Sequence, residues 1–470
     1  MNETNERTEK AQDAPRMAGE KEALFSSMPV PKAIAALAVP TVISQLITVV
    51  YNMADTFFVG QLGDPDQVAA ATISMPLFMF LTAIANLFGI GGASLISRCL
   101  GRGDRKKASS CASFCIWGAA AAALVYGVLV ALLEPVILPV LGANEGTWSY
   151  ASSYIFYTVG LGSVATVLNP ALAHLVRAEG YSRQASFGVA FGGLLNIALD
   201  PLFIFGLKMD IAGAAVATLL SNVAALTYFC CFLYKIRKRS TITASFRCFT
   251  LKEGIPAEVA AVGLPSFLIS TLATVSNTVL NNIISSYANE AVAGMGIAKK
   301  IDLLAFAIAQ GMTQGALPLI GYNFTSGNKA RMMAAVKGLF FDCLFVSLAG
   351  TALLFFGAKP ITACFIDNAQ TVSYGCAFLR IICLACTTTS LNFFAITVFQ
   401  ATGKHQEPIF LSLLRKGTLD VALMFLFYRL MGVVGVAWAT PAADAAALLI
   451  STALLLPYLK KLKKEQALAA

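Results

Sequence analysis

Charged residues are scarce in this chain, at 13% against about 25% in a soluble globular protein. Hydrophobic residues make up 57%, and the mean hydropathy is +0.72. That imbalance excludes a water-soluble globule. The raw material for catalysis is thin as well. There are two histidines, His174 and His405, both near helix ends, so a Ser–His–Asp constellation has little to be built from. We read His174 as an interfacial polar residue. No G-x-x-x-x-G-K-[ST] phosphate loop is present. Its nearest fragment, Gly403-Lys404, is followed by His405 and has Val398 where the first glycine belongs. The eleven cysteines fall almost entirely in apolar segments. Cys383 and Cys386 have metal-like spacing but no second pair, so small buried hydrophobes are the better reading, and neither metal nor cofactor is expected. With no nucleotide engine and no catalyst, any work must draw on an ion gradient or run downhill.

What the chain does have is long apolar runs, twelve of them, read as helices at 33–60, 68–97, 108–133, 148–176, 184–206 and 211–234, then 257–286, 291–322, 332–356, 371–400, 408–430 and 432–459. Each reaches the ~20 residues that span a bilayer. Helix-period runs rich in alanine and leucine argue against a β-barrel, whose strands alternate over about ten residues. The two halves repeat one pattern. Gly91-Gly92-Ala93-Ser94-Leu95-Ile96 answers Gly315-Ala316-Leu317-Pro318-Leu319-Ile320 at an offset of 224. Pro40 answers Pro265 at 225, Asn169 and Gly180 answer Asn392 and Gly403 at 223, and Thr218 answers Thr440 at 222. Six spans per half return the second half to the same orientation, giving a parallel repeat about an axis along the membrane normal. The expected fold is all-α and integral to the membrane, with an N-lobe at 33–234, a linker at 235–256 and a C-lobe at 257–459.

The net charge of +9 comes from alternate loops, not from one face that could hold nucleic acid. Arg98, Arg102, Lys106, Lys238, Arg331 and Lys404 stand on one side, while Asp64, Asp66, Glu145, Asp210, Glu290 and Asp367 stand on the other. By the positive-inside rule both termini are cytoplasmic, and a multi-pass position in the plasma membrane is expected. Residues 1–32 mix both signs without an apolar core and read as a disordered tail; residues 460–470 read as a basic one.

Ionisable residues inside spans are costly and default to functional candidates. In the first half these are Asp55 and Asp200. Asn196 is four residues before Asp200 and so shares its helix face, and Thr218 lies on the next helix. Counting 1.5 Å per residue puts Asp55, Asp200 and Thr218 within roughly 7–12 Å of the outer boundary, a plausible proton or cation site. The second half carries Lys299, Lys300, Asp302, Arg380, Asp420 and Asp444, where Asp420 sits near Asp200 in the repeat and Asp444 answers Asn222. Signs nearly balance there, so ion pairs such as Lys299–Asp302 are expected, with the other lysine turned to Asp420, Asp444 or a cavity between the lobes.

The stretches Asn52-Met53-Ala54-Asp55-Thr56-Phe57-Phe58-Val59-Gly60-Gln61-Leu62-Gly63 and Asn196-Ile197-Ala198-Leu199-Asp200-Pro201-Leu202-Phe203 resemble the multidrug and toxic compound extrusion (MATE) family, in its bacterial MepA-like branch. So do Gly101-Arg102-Gly103-Asp104, Arg177-Ala178-Glu179-Gly180 and Gln400-Ala401-Thr402-Gly403. The resemblance implies efflux of organic, cationic or amphipathic small molecules by two rocking six-helix lobes, coupled to H+ or Na+ and carried out by a monomer. It also implies Asp55, Asn196, Asp200 and Thr218 as the cation-coupling positions. Acids in helices 7 and 10 mark a C-lobe sodium site in other members; this chain lacks both, which points to the proton. A flippase for a lipid-linked or polyprenyl substrate is the alternative within the same superfold.

Overall fold

The computed structural model describes residues 23–469, apart from 285, 286, 288 and 367. Most of the expected N-terminal tail and the loop residue Asp367 lie outside these. Twelve helices follow in the expected order: α1 (Val30–Gly60), α2 (Pro65–Gly101), α3 (Arg105–Val140), α4 (Glu145–Ile155 and Ser163–Ala178), α5 (Ser182–Pro201) and α6 (Asp210–Ile236). The second set is α7 (Ile255–Ile284), α8 (Asn289–Thr325), α9 (Lys329–Phe356), α10 (Ala369–Ile382 and Ala385–Ala401), α11 (Gln406–Ser412 and Asp420–Met431) and α12 (Val433–Ala469). Among the described residues, α8 and α11 are the two helices that are not both long and apolar enough to cross a membrane by composition alone. They carry Asp302 with Gln310 and Gln314, and Arg415 with Lys416 and Asp420, so the shortfall reflects polar residues held inside the protein.

The repeat extends to the helix caps. Asp104 caps α3 through the Lys107 N–H, and Asn328, 224 residues on, caps α9 through that of Arg331. Asn144 caps α4 and Asn368 caps α10 at the same offset. Between α2 and α3 Gly103 adopts φ +78°, and between α8 and α9 Gly327 adopts +81°, a region where only glycine is unstrained. These paired stops fix the register of both lobes.

Several helices are less regular than expected. α4 bends by 51° at Gly162 after a π turn over Phe156–Leu161. α5 ends in a π turn at Leu202–Gly206, and α11 is interrupted by one at Leu413–Leu419. A run of apolar residues carries no signal for one extra residue per turn. The end of the tail is also different from the expectation of disorder over 1–32. Leu24 and Phe25 are buried, the Phe25 ring stacks on Tyr322 at 5.2 Å, and Arg331 Nε donates to the Phe25 carbonyl at 2.6 Å. The segment before α1 thus clamps the first helix to α8 and α9. The linker is shorter than 235–256 because α6 runs to Ile236 and α7 starts at Ile255. It is anchored to the N-lobe by Trp117 Nε1 donating to the Ala244 carbonyl at 2.9 Å.

The lobes meet where α1 crosses α8 and α2 crosses α7. Small residues allow the approach: a Cβ on Gly315 would lie 2.6 Å from Ala38 Cα, and one on Gly263 would lie 2.0 Å from the Leu87 carbonyl oxygen. Beyond these crossings, two amide bonds are related by the repeat. Gln45 Nε2 donates to Gln310 Oε1 at 3.2 Å, and Asn86 Nδ2 to Ser270 Oγ at 3.1 Å. Gln45 and Ser270 are 225 apart, Asn86 and Gln310 224. Toward the end carrying the basic loops, Arg98 on α2 pairs with Glu258 on α7 at 3.4 Å, Lys107 pairs with the same carboxylate at 2.8 Å, and Thr325 donates to the Arg98 carbonyl. Among the described residues, cross-lobe hydrogen bonds and ion pairs stop at the amide level, and none lies nearer the acidic end. Arg98, read as a loop residue, is therefore a buried latch residue.

Candidate functional site

Asp200 stands in the last turn of α5 because Pro201 follows it. Proline has no N–H to return to the Ile197 carbonyl, so the helix widens into the π turn just beyond the acid. Asn196, one turn earlier, faces the same way. Its amide donates to Asp200 Oδ1 at 3.2 Å and to Thr218 Oγ1 on α6 at 3.3 Å. All three residues are buried, Asp200 completely. Asp55 on α1 is half-buried and lies within electrostatic reach of Asp200, with Tyr51 and Tyr154 beside both acids. Asp200 Oδ2, Asn196 Oδ1 and Asp55 Oδ1 are buried with no hydrogen-bond partner among the described residues. A carboxylate or amide oxygen only accepts, so each of the three has capacity left for a donor or a cation. A second tier lies behind, in which Asn169 donates to Asn222 and Asn222 to Thr166, at 3.2 and 3.3 Å.

The C-lobe repeats this site with charges inserted. Asp420 accepts from Ser276 Oγ on α7 at 2.7 Å, from Lys416 Nζ at 2.9 Å and from Thr440 Oγ1 on α12 at 3.2 Å. In the tier behind, Asp444 stands where the N-lobe has Asn222. It is held by Thr389 and by Arg415, whose Nε and Nη2 reach its two oxygens at 2.5 and 2.9 Å. Arg415 and Asp444 are fully buried, a fork-to-fork pair in a low-dielectric interior.

Of the sequence candidates, Asn196, Asp200 and Thr218 form one hydrogen-bonded cluster with Asp55 nearby. The expected Lys299–Asp302 ion pair is absent. Among the described residues neither Lys299 nor Lys300 has a carboxylate within 4.0 Å, and the partners of Asp420 and Asp444 come from α11. Asp302 instead sits within electrostatic reach of Lys299, Lys416, Arg415 and Asp444. Arg380 is exposed and has no carboxylate within 4.0 Å among the described residues; its Nε donates to the Phe355 carbonyl at 3.3 Å. His174 is buried rather than interfacial, with Nδ1 3.2 Å from Arg177 Nη1. Sequence reasoning missed Arg415, Lys416, Ser276, Glu258 and the two tyrosines. For Lys416 the i, i+4 spacing to Asp420 was a usable signal; for Arg415 and Glu258 the partners are distant in sequence.

The MatE family model matches residues 40–202 and 265–441. The chain is 30% identical to the multidrug export protein MepA of Staphylococcus saprophyticus, covering 93% of this chain and 95% of that protein. It is 28% identical to the MepA of Staphylococcus aureus at the same coverage. Its fold superposes with a TM-score of 0.85 on an outward-facing multidrug resistance MATE family transporter of the MOP superfamily, at 24% identity, covering 94% of this chain and 98% of that one.

Proposed function

The chain belongs to the MATE family, and from that premise we propose that it is a secondary active multidrug efflux antiporter. It exchanges a monovalent cation, H+ or Na+, for organic compounds of cationic or amphipathic character, working as a monomer in the plasma membrane with the basic end and both termini in the cytoplasm. It is a transporter, not an enzyme. The pathway lies between the lobes and opens alternately at the two ends.

The observation that carries this reading is the set of partnerless buried oxygens on Asp55, Asn196 and Asp200, which faces a cation requirement with nothing covalent to meet it. Of the two ions the proton fits better, because the acids of helices 7 and 10 that hold sodium in other members are missing here. A proton arriving from the acidic end neutralises the carboxylate cluster. Its release to the cytoplasm restores the charge and with it the state able to take up the next compound.

The test uses the full-length protein in liposomes, with proton and sodium gradients imposed separately against a panel of organic cations. Efflux is expected to follow the proton gradient. Asp200→Asn is expected to reduce gradient-driven efflux to background while leaving substrate binding measurable. Efflux by Asp200→Asn and Asp55→Asn at the native rate, or exchange driven by sodium at clamped pH alone, refutes the assignment.

A further inference from the structure

We infer that Lys416 is the built-in occupant of a second cation site, formed in the C-lobe by the helices that correspond through the repeat to those of the N-lobe cluster. The inference rests on the coupling role proposed for that cluster. The groups that frame the two places correspond through the repeat. Thr218 answers Thr440 at an offset of 222, Tyr51 answers Ser276 at 225, and the tier behind matches as Thr166 with Thr389 and Asn169 with Asn392 at 223. In the N-lobe, Thr218 holds the Asn196 amide beside Asp200; in the C-lobe, Thr440 holds the carboxylate of Asp420 directly. Each lobe therefore presents a buried carboxylate next to a hydroxyl of its last helix, framed by its first helix.

The difference is what neutralises it. Among the described residues, three oxygens of the N-lobe cluster, on Asp55, Asn196 and Asp200, are left without a donor. In the C-lobe both Asp420 oxygens are satisfied, Oδ1 by Thr440, Oδ2 by Ser276 and by the Lys416 ammonium. That ammonium is tied to the same helix one turn away, so it competes intramolecularly against any free ion. Displacing it would strand a cation in a buried place, which is expensive. The tier behind follows the same logic, since the acid at Asp444 comes with Arg415. Every buried charge that the C-lobe adds at these two tiers arrives with a tethered counter-charge. Lys416 thereby silences a site that the architecture would otherwise supply and confines ion exchange to the N-lobe, with one exchangeable site per transporter. The Lys416 position sets the stoichiometry of coupling.

Removing the ammonium is expected to open the site. In purified full-length protein carrying Asp55→Asn and Asp200→Asn, no radioactive sodium is expected to be retained and a pH dye should report no proton exchange at the cluster. Adding Lys416→Asn should create one cation site per protein, read as retained sodium or as one extra proton taken up on acidification, and adding Asp420→Asn should abolish it. If Lys416→Asn gains neither ion, or if the gain survives Asp420→Asn, the inference is overturned. If the Asp55→Asn/Asp200→Asn protein exchanges cations as the native one does, the coupling reading fails separately, and the gain at Asp420 remains readable above that baseline. Should Lys416→Asn fold poorly, melting temperature serves instead. In the Asp55→Asn/Asp200→Asn background, Lys416→Gln is expected to be stabilised by added sodium or by acid, whereas the neutral pair Lys416→Gln/Asp420→Asn in that background is indifferent to both. A melting temperature of Lys416→Gln that ignores both ions also overturns it.

Discussion

The two lobes solve one problem, a carboxylate in a membrane interior, in opposite ways. Asp200 accepts from the Asn196 amide, which leaves its second oxygen bare, while Asp444 is clasped by a guanidinium. The buried pair makes a sharp expectation about stability. Asp444→Ala strands the Arg415 guanidinium in a fully buried place and is expected to cost about 3–5 kcal/mol, whereas Asp444→Ala/Arg415→Met removes both charges and recovers most of the loss. Thermal unfolding of the two variants in one detergent decides it; a single variant as stable as the double would mean that the pair carries no such burden. Counting turns from the acidic end was enough to gather Asp55, Asn196, Asp200 and Thr218 at one depth, because rise per residue is constant along a helix. It was not enough for the C-lobe. Lys299 and Asp302 have the local spacing of a pair, but the cations that hold Asp420 and Asp444 are neighbours on α11, inside the π turn at Leu413–Leu419 that shifts its register. Helix periodicity shows which residues share a face, and it is silent on which face of another helix lies opposite.

At the scale of elements, order and number were legible because each span must hide its own backbone from lipid and so declares itself as a long apolar run. The bend at Gly162 and the docking of Leu24 and Phe25 were not, since both depend on the surface presented by other helices. The crossings of α1 with α8 and α2 with α7 follow from small residues whose role is purely steric. Gly263→Ala puts a methyl 2.0 Å from the Leu87 carbonyl, where backbone must yield, and a loss of about 1–3 kcal/mol with weaker closure between the lobes is expected. Gly60→Ala meets nothing within 4 Å and should leave stability within about 1 kcal/mol of native. Equal effects at the two positions, measured by thermal unfolding, would remove the close approach as the reason for glycine at the crossing.

The whole molecule is closed at the basic end by contacts that the two halves share unequally. The amide level is symmetric, with Gln45–Gln310 mirrored by Asn86–Ser270, and such a pair of equivalent bonds suits an axis about which the lobes turn. The latch below it is not symmetric. Glu258 on α7 holds two cations from the N-lobe, Arg98 and Lys107, and Arg98 is 7% exposed. Among the described residues, the ion pairs between the lobes at this end therefore run through one carboxylate. Replacing it in Glu258→Gln leaves a buried guanidinium next to Lys107 with no counter-charge, a penalty specific to the closed state because opening lets water reach both cations. The population is expected to shift toward opening at the basic end. Spin labels placed across that end should show longer distances and labels across the acidic end shorter ones, by at least the tenfold change in ratio that about 1.4 kcal/mol produces. Unfolding stability need not change in step, since the open state is also folded. Distance distributions identical to those of the native protein would mean that Glu258 merely decorates the interface and that the crossings of α1 with α8 and α2 with α7 hold the end shut by packing alone.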